Sequence, residues 1–220
     1  MSIAKLSLTA DQFVAKAIEM SSVTHIQDSD ICEPLEHLVH SLNTEAQLTP
    51  EGASGAEKRI LRILCNRLWM LRDFELHPEI HEQKIRGPLF ITGLNRTGTT
   101  KLQKMLAASG DFFYNRLWHM FSLSLQSGDR EEDTSPRIQA AEEFVEWFDE
   151  QSPKARLTHH YETFEPEEEA FIFEHCRFGS LMLAFYNVPS FLGWCATQNP
   201  MDEYEFLKTC LKYIQWQRYD

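Results

Sequence analysis

The segment that most restricts the fold runs from Pro88 to Gly110. Pro88-Leu89-Phe90-Ile91-Thr92 is a short apolar run that stops at Gly93. The loop Gly93-Leu94-Asn95-Arg96-Thr97-Gly98-Thr99-Thr100 follows, and a helix-forming stretch, Lys101 to Ser109, ends at Gly110. An apolar strand without alternation belongs inside a parallel sheet covered on both faces. Such a strand needs neighbours on both edges and crossover connections to reach them. No second run of that quality follows, and Ser180 to Val188 fits a strand and a buried helix equally well. The expectation is therefore an α/β protein, a parallel sheet with flanking helices, of which this chain is the front part. It would be truncated at Asp220 and mostly helical, with one clear strand.

The remainder reads as helices. Thr9 caps one carrying Phe13, Val14, Ala17 and Ile18, and Leu35, Leu38, Val39 and Leu42 mark a second. Residues 51–55 predict a loop because of Gly52 and Gly55. Leu61, Leu64, Leu68 and Leu71 line a longer helix that must end near His77-Pro78, since proline cannot continue it. Ser127 to Pro136 is a polar linker, and Ile138, Ala141, Val145 and Phe148 share one helix face. Glu165-Pro166-Glu167-Glu168 predicts a helix start, with proline at its first position and carboxylates on the positive dipole end. Leu207, Leu211 and Ile214 mark a last helix. The division expected from this pattern is a helical N-terminal extension over 1–57 and a domain over 58–220.

Composition narrows the function classes. A chain 43% hydrophobic and 25% charged is globular rather than disordered or fibrous. No apolar run approaches the ~18 residues of a membrane span, and Met1 to Ala10 lacks the pattern of a signal peptide. Cys32, Cys65, Cys176, Cys195 and Cys210 are scattered and form no C-x-x-C pair, which suits reduced thiols in a cytoplasmic protein. The net charge of −12 argues against nucleic acid as a partner. Residues 58–118 nevertheless hold 11 Lys and Arg against 5 Asp and Glu. A basic middle in an acidic chain points to an anion there, although a solvated helix face with Lys58, Arg59, Arg62 and Arg67 accounts for part of the excess.

The loop supplies the place for that anion. Its glycines allow tight turns, its backbone N–H groups converge, and the helix N-terminus adds about half a positive charge. Gly93 and Gly98 have the spacing of a nucleoside-triphosphate loop, but Thr99 stands where that motif needs lysine. The cation lies inside the loop instead, as Arg96. A guanidinium there forks onto a single phosphate or sulfate group.

With Phe90-Ile91-Thr92-Gly93-Leu94-Asn95-Arg96-Thr97-Gly98-Thr99-Thr100, the chain resembles the sulfotransferases that use 3′-phosphoadenosine 5′-phosphosulfate, in their bacterial-type branch. Trp118-His119-Met120, the helix near Ile138, Glu165-Pro166-Glu167-Glu168 and Val188-Pro189-Ser190 extend the likeness over most of residues 60–217. The resemblance implies a P-loop-like sulfotransferase fold and transfer of a sulfuryl group to a small-molecule hydroxyl acceptor. It implies that Arg96 stabilises the bridging oxygen and that Asn95, Thr97, Gly98, Thr99 and Thr100 complete the phosphosulfate loop. No metal is then required, because Arg96 and the helix end supply the electrostatics.

The sequence departs from the family at Asn95, where proline is usual, and lacks the later Lys-Ser-Pro and Arg/Ser elements for the 3′-phosphate. Weak or no activity is expected of the chain alone. His119 occupies a slot where relatives carry a carboxylate and is the expected general base. His159, His160, Glu167 and Glu168 are the other candidates, with helix capping the competing account of the glutamates. His77 and His81 flank Pro78 and lack a third metal ligand. The alternatives are a non-catalytic binding module and, with less support, a P-loop kinase or NTPase. An oligomer is compatible with the sequence.

Overall fold

The computed structural model describes residues 3–25, 27–94, 96–156 and 159–218. Helix α1 (Ala10–Ser21) starts with a capping box: the Thr9 hydroxyl accepts from Gln12 N, and the Gln12 side chain accepts from Thr9 N at 2.9 Å. Helix α2 (Cys32–Thr44) buries Leu35, Leu38, Val39 and Leu42, as their spacing predicts. Helix α3 (Pro50–Leu76) is the spine of the molecule and runs unbroken through residues 57 and 58.

The loop expected at 51–55 is helical. Thr49 accepts from Gly52 N at 3.1 Å, Pro50 occupies the first turn, and Ala53 and Ala56 are buried against the α1–α2 layer. Each glycine costs the helix about 1 kcal/mol, and the cap together with the burial outweighs it. Thr49→Ala is expected to lower stability by about 1 kcal/mol, read as a shift of the urea midpoint at constant slope. No shift would mean that Pro50 and packing start this helix without the cap.

Short α4 (Glu79–Glu82) follows Pro78, and then comes the chain that leads into the loop and α5 (Thr99–Ala108). The strand expected at 88–92 forms no ladder. Among the described residues the one β-type pairing is an isolated antiparallel bridge between Arg116 and Pro166. Leu89, Phe90 and Leu94 stand exposed, Leu94 by 82%, and α5 buries none of its described side chains. A strand is a property of a pair, and among the described residues the apolar run has no neighbour to pair with.

The rest is α6 (Leu117–Phe121), α7 (Ser135–Gln151), α8 (Pro153–Arg156), α9 (Ala170–Arg177), α10 (Gly179–Phe185), α11 (Pro189–Cys195) and α12 (Pro200–Gln217). Residues 180–188, ambiguous by sequence, are mostly the helix α10. The helix start expected at Glu165-Pro166-Glu167-Glu168 is not one, since α9 begins at Ala170. Leu117 N donates to Glu165 O and Glu167 N to Asn115 O, each at 3.2 Å. The backbone of 165–167 is thereby held extended against 115–117.

Two apolar cores share α3. The first joins Phe13, Leu35, Leu38, Ile60 and Ile63 to Phe178 and Phe191. The second joins Met70, Phe121, Phe144, Phe171, Tyr213 and Ile214. Along the seam between α3 and α9, Glu174 is fully buried between Arg59 and Arg62, and Arg67 pairs with Asp28 while donating to His175 O at 2.7 Å.

Candidate functional site

The loop ahead of α5 folds as an anion cradle would. Arg96 has a left-handed backbone, φ 67°, and Gly98 follows at φ 94°. The Thr97 hydroxyl donates to Leu94 O at 2.6 Å, closing the turn. A Cβ on Gly93 would stand 3.0 Å from Thr97 Oγ1 and 3.1 Å from Thr99 Cγ2, so a side chain there would press into the loop hydroxyls. No side chain caps α5 at Gly98. The N–H groups of its first turn therefore face a place an oxyanion can take. Arg96, Thr97, Gly98, Thr99 and Thr100 make up this turn and the helix start, while Asn95 lies outside the described residues.

Helix α5 is seated on residues 159–168. Gln103, one turn beyond Thr99, donates to Glu167 O at 3.1 Å, and Lys104 pairs with Glu162 at 2.7 Å and Glu165 at 3.8 Å. In that segment His159 Nε2 lies 3.2 Å from both oxygens of Glu167, and Glu168 N donates to Glu167 Oε1 at 2.8 Å. One ligand-type atom each of His159, Glu167 and Glu168 falls within 4.8 Å of the others. The Glu167 hydrogen bond holds the His159 pKa above its usual value against partial burial. Burial and the Glu167 charge push Glu168 upward, although it is exposed. A carboxylate with a raised pKa accepts a proton more readily near neutral pH. His159 and Glu168 can hold or move a proton, and together with Glu167 they could also ligate a cation.

His119 is in a different setting. Its Nδ1 accepts from Arg218 Nη2 at 2.9 Å, and its ring centroid lies 3.7 Å from that of Trp118. Burial, and then the charges of Arg218, Arg137 and Arg116, push its pKa down to about 2. With Nδ1 accepting, the neutral ring carries its proton on Nε2 and presents a donor there. In this arrangement the ring offers an N–H rather than a free nitrogen, which does not suit the general base expected at His119.

His160 is exposed. His77 lies 3.2 Å from Gly128 O and His81 packs against Phe74 with its ring tilted by 55°, so these two are not gathered into a ligand set. By sequence alone these residues are candidates for acid–base work, with helix capping the competing account of the two glutamates. The His159–Glu167 spacing of eight residues was the available signal.

The glycine-bounded loop holding Arg96 leads into an uncapped helix start, and the helix it opens is seated on the segment that carries His159, Glu167 and Glu168. The family model described as the sulfotransferase family matches residues 88–210, more than half of the sequence, and the chain belongs to that family. No curated protein matches. Among solved structures it is similar to sulfotransferase STF1 from Mycobacterium tuberculosis, with TM-score 0.74 and 22% identity over 95% of this chain and 58% of that one. It is similar also to sulfotransferase STF9 from Mycobacterium avium, with TM-score 0.76 and 23% identity over 95% of this chain and 54% of that one. The chain thus has the sulfotransferase fold over a little more than half the length of these two structures. Among the described residues no helix is long and apolar enough to cross a membrane.

Proposed function

We propose that the 93–100 loop binds the phosphosulfate of 3′-phosphoadenosine 5′-phosphosulfate and that the site transfers its sulfuryl group to a hydroxyl acceptor. Family membership over residues 88–210 carries this reading, and the cradle geometry around Gly93 and Gly98 supports it. The loop suits a compact oxyanion: backbone N–H groups at the α5 start and the hydroxyls of Thr97, Thr99 and Thr100 donate, and Arg96 forks onto the bridging region. In the transfer the bond from sulfur to the bridging oxygen breaks, and adenosine 3′,5′-bisphosphate leaves. A new bond forms from sulfur to the acceptor oxygen, whose proton passes to Glu168. His159 and Glu167 position that carboxylate. Charge that builds on the bridging oxygen meets Arg96 and the helix end, so no step calls for a metal.

Arg96→Ala is expected to cost about 1.5–3 kcal/mol of donor binding, the worth of a charge-assisted hydrogen bond. Arg96→Lys should recover part of it, since a point charge cannot fork. Calorimetry with adenosine 5′-phosphosulfate reads both, and wild-type affinity in Arg96→Ala would sink the donor-loop reading. A second reading, donor binding without turnover, is favoured by the exposed Leu89, Phe90 and Leu94 beside the loop. Calorimetric binding with no sulfate transfer to alcohols or phenols would decide for it.

A further inference from the structure

We propose that Lys104 is a positioning residue for the transfer step: through Glu162 and Glu165 it sets the distance between the donor loop and the cluster of His159, Glu167 and Glu168. The inference rests on the reaction proposed above. It begins with the attachment of helix α5, which carries the loop. None of its described side chains is buried, and Leu102 and Met105 stand 47% and 62% exposed. Apolar packing therefore does not fix where this helix sits, and its contacts with residues 162–167 are polar.

Gln103 and Lys104 stand one helical turn after Thr99 and Thr100, so each follows a loop hydroxyl along the same side of α5. Gln103 donates to Glu167 O at 3.1 Å. Lys104 Nζ donates to Glu162 Oε1 at 2.7 Å, with Glu165 Oε2 at 3.8 Å. The receiving segment is itself anchored. Trp118 N donates to Thr163 O, Leu117 N to Glu165 O and Glu167 N to Asn115 O, each at 3.2 Å. Leu117 and Trp118 belong in turn to the second core. Lys104 thus ties a helix whose described side chains lie outside the core to a segment fixed on it.

The tie is ionic at neutral pH. Burial works against the Lys104 charge, but the Glu162 hydrogen bond and the charges of Glu162, Glu165 and Glu167 outweigh it and hold the pKa above its usual value. Lys104 is 34% exposed and its two partners 45% and 47%, a setting in which an ion pair adds little to folding stability. Its consequence is geometric. The acceptor oxygen must meet sulfur held on the loop and the Glu168 carboxylate at once. A misplacement of about 1 Å between such groups costs on the order of 10²-fold in rate.

The test compares the full chain with Lys104→Met, which keeps the stem and removes the charge, with Lys104→Glu, and with Lys104→Glu combined with Glu162→Lys, which reverses the pair. In Lys104→Met, kcat for sulfate transfer is expected to fall by about 10–10²-fold, and at least as far in Lys104→Glu. The thermal melt and the calorimetric affinity for adenosine 5′-phosphosulfate should be unchanged. The reversed pair should recover most of the lost kcat, and the α5 amides should exchange faster with solvent in the single variants than in the reversed pair. Wild-type kcat in Lys104→Met would overturn the proposal, as would a reversed pair no better than Lys104→Glu. A loss confined to donor affinity would also overturn it, by placing Lys104 on the phosphosulfate. These failures leave the proposed reaction standing as long as the wild type transfers sulfate; a wild type that transfers none overturns both.

Discussion

Glu174→Ala is expected to cost about 3–5 kcal/mol of folding stability, because it strands two buried guanidinium groups. Glu174 is 0% exposed and is gripped by Arg59 and Arg62 of α3, the latter at 2.8 Å, while Arg62 also donates to Phe121 O. Burial alone would raise its pKa, but the two arginine charges outweigh that and hold the carboxyl down to about 2. The sign follows from the depressed value. The group's contribution is full above its ordinary value of 4.5 and is lost as pH falls through about 2. Wild-type stability should therefore decline across that acid window, and the alanine variant should show a weaker decline over it. Urea unfolding at several pH values measures both. A loss below ~1 kcal/mol at neutral pH, within the range of a surface ion pair, would show that Arg59 and Arg62 find other acceptors.

What the sequence discloses depends on how local the determinant is. Helices α1 and α2 follow from the Thr9 cap and from apolar spacing, both contained within a few turns. The 93–100 loop is legible for the same reason, since glycine spacing, Arg96 and the hydroxyls are contiguous. Residues 51–55 mislead because the burial of Ala53 and Ala56, decided by distant α1 and α2 partners, overrides two glycines. Glu165-Pro166-Glu167-Glu168 misleads in the opposite direction. Its composition favours a helix start, but Asn115 and Leu117 take its backbone groups. The apolar run at 88–92 has the side chains of a strand without a pairing partner among the described residues. His119 is locatable by its slot after Trp118, yet its low pKa comes from burial and then from the charges of Arg218, Arg137 and Arg116, of which Arg218 lies 99 residues away.

The proposed reaction makes its sharpest demand on Glu168. Glu168→Gln is expected to lower turnover in a sulfate-transfer assay by about 10²–10⁴, the usual worth of a positioned general base. Donor affinity, measured with adenosine 5′-phosphosulfate, should be unchanged, because the phosphosulfate contacts lie in the loop. Glutamine keeps the size of the side chain and its hydrogen-bonding oxygen but cannot take the acceptor proton. Wild-type activity should also rise with pH through a raised carboxylate pKa and then level, since burial and the Glu167 charge favour the protonated form below it. That rising limb should vanish from the residual activity of Glu168→Gln. Glu167→Gln should act differently: it removes the charge facing Glu168 and His159, so the Glu168 limb should move to lower pH. A pH profile unchanged in Glu168→Gln, with turnover intact, would transfer the base to another group of the cluster. His159 would be next, since it sits against Glu167 and has a pKa raised by that hydrogen bond.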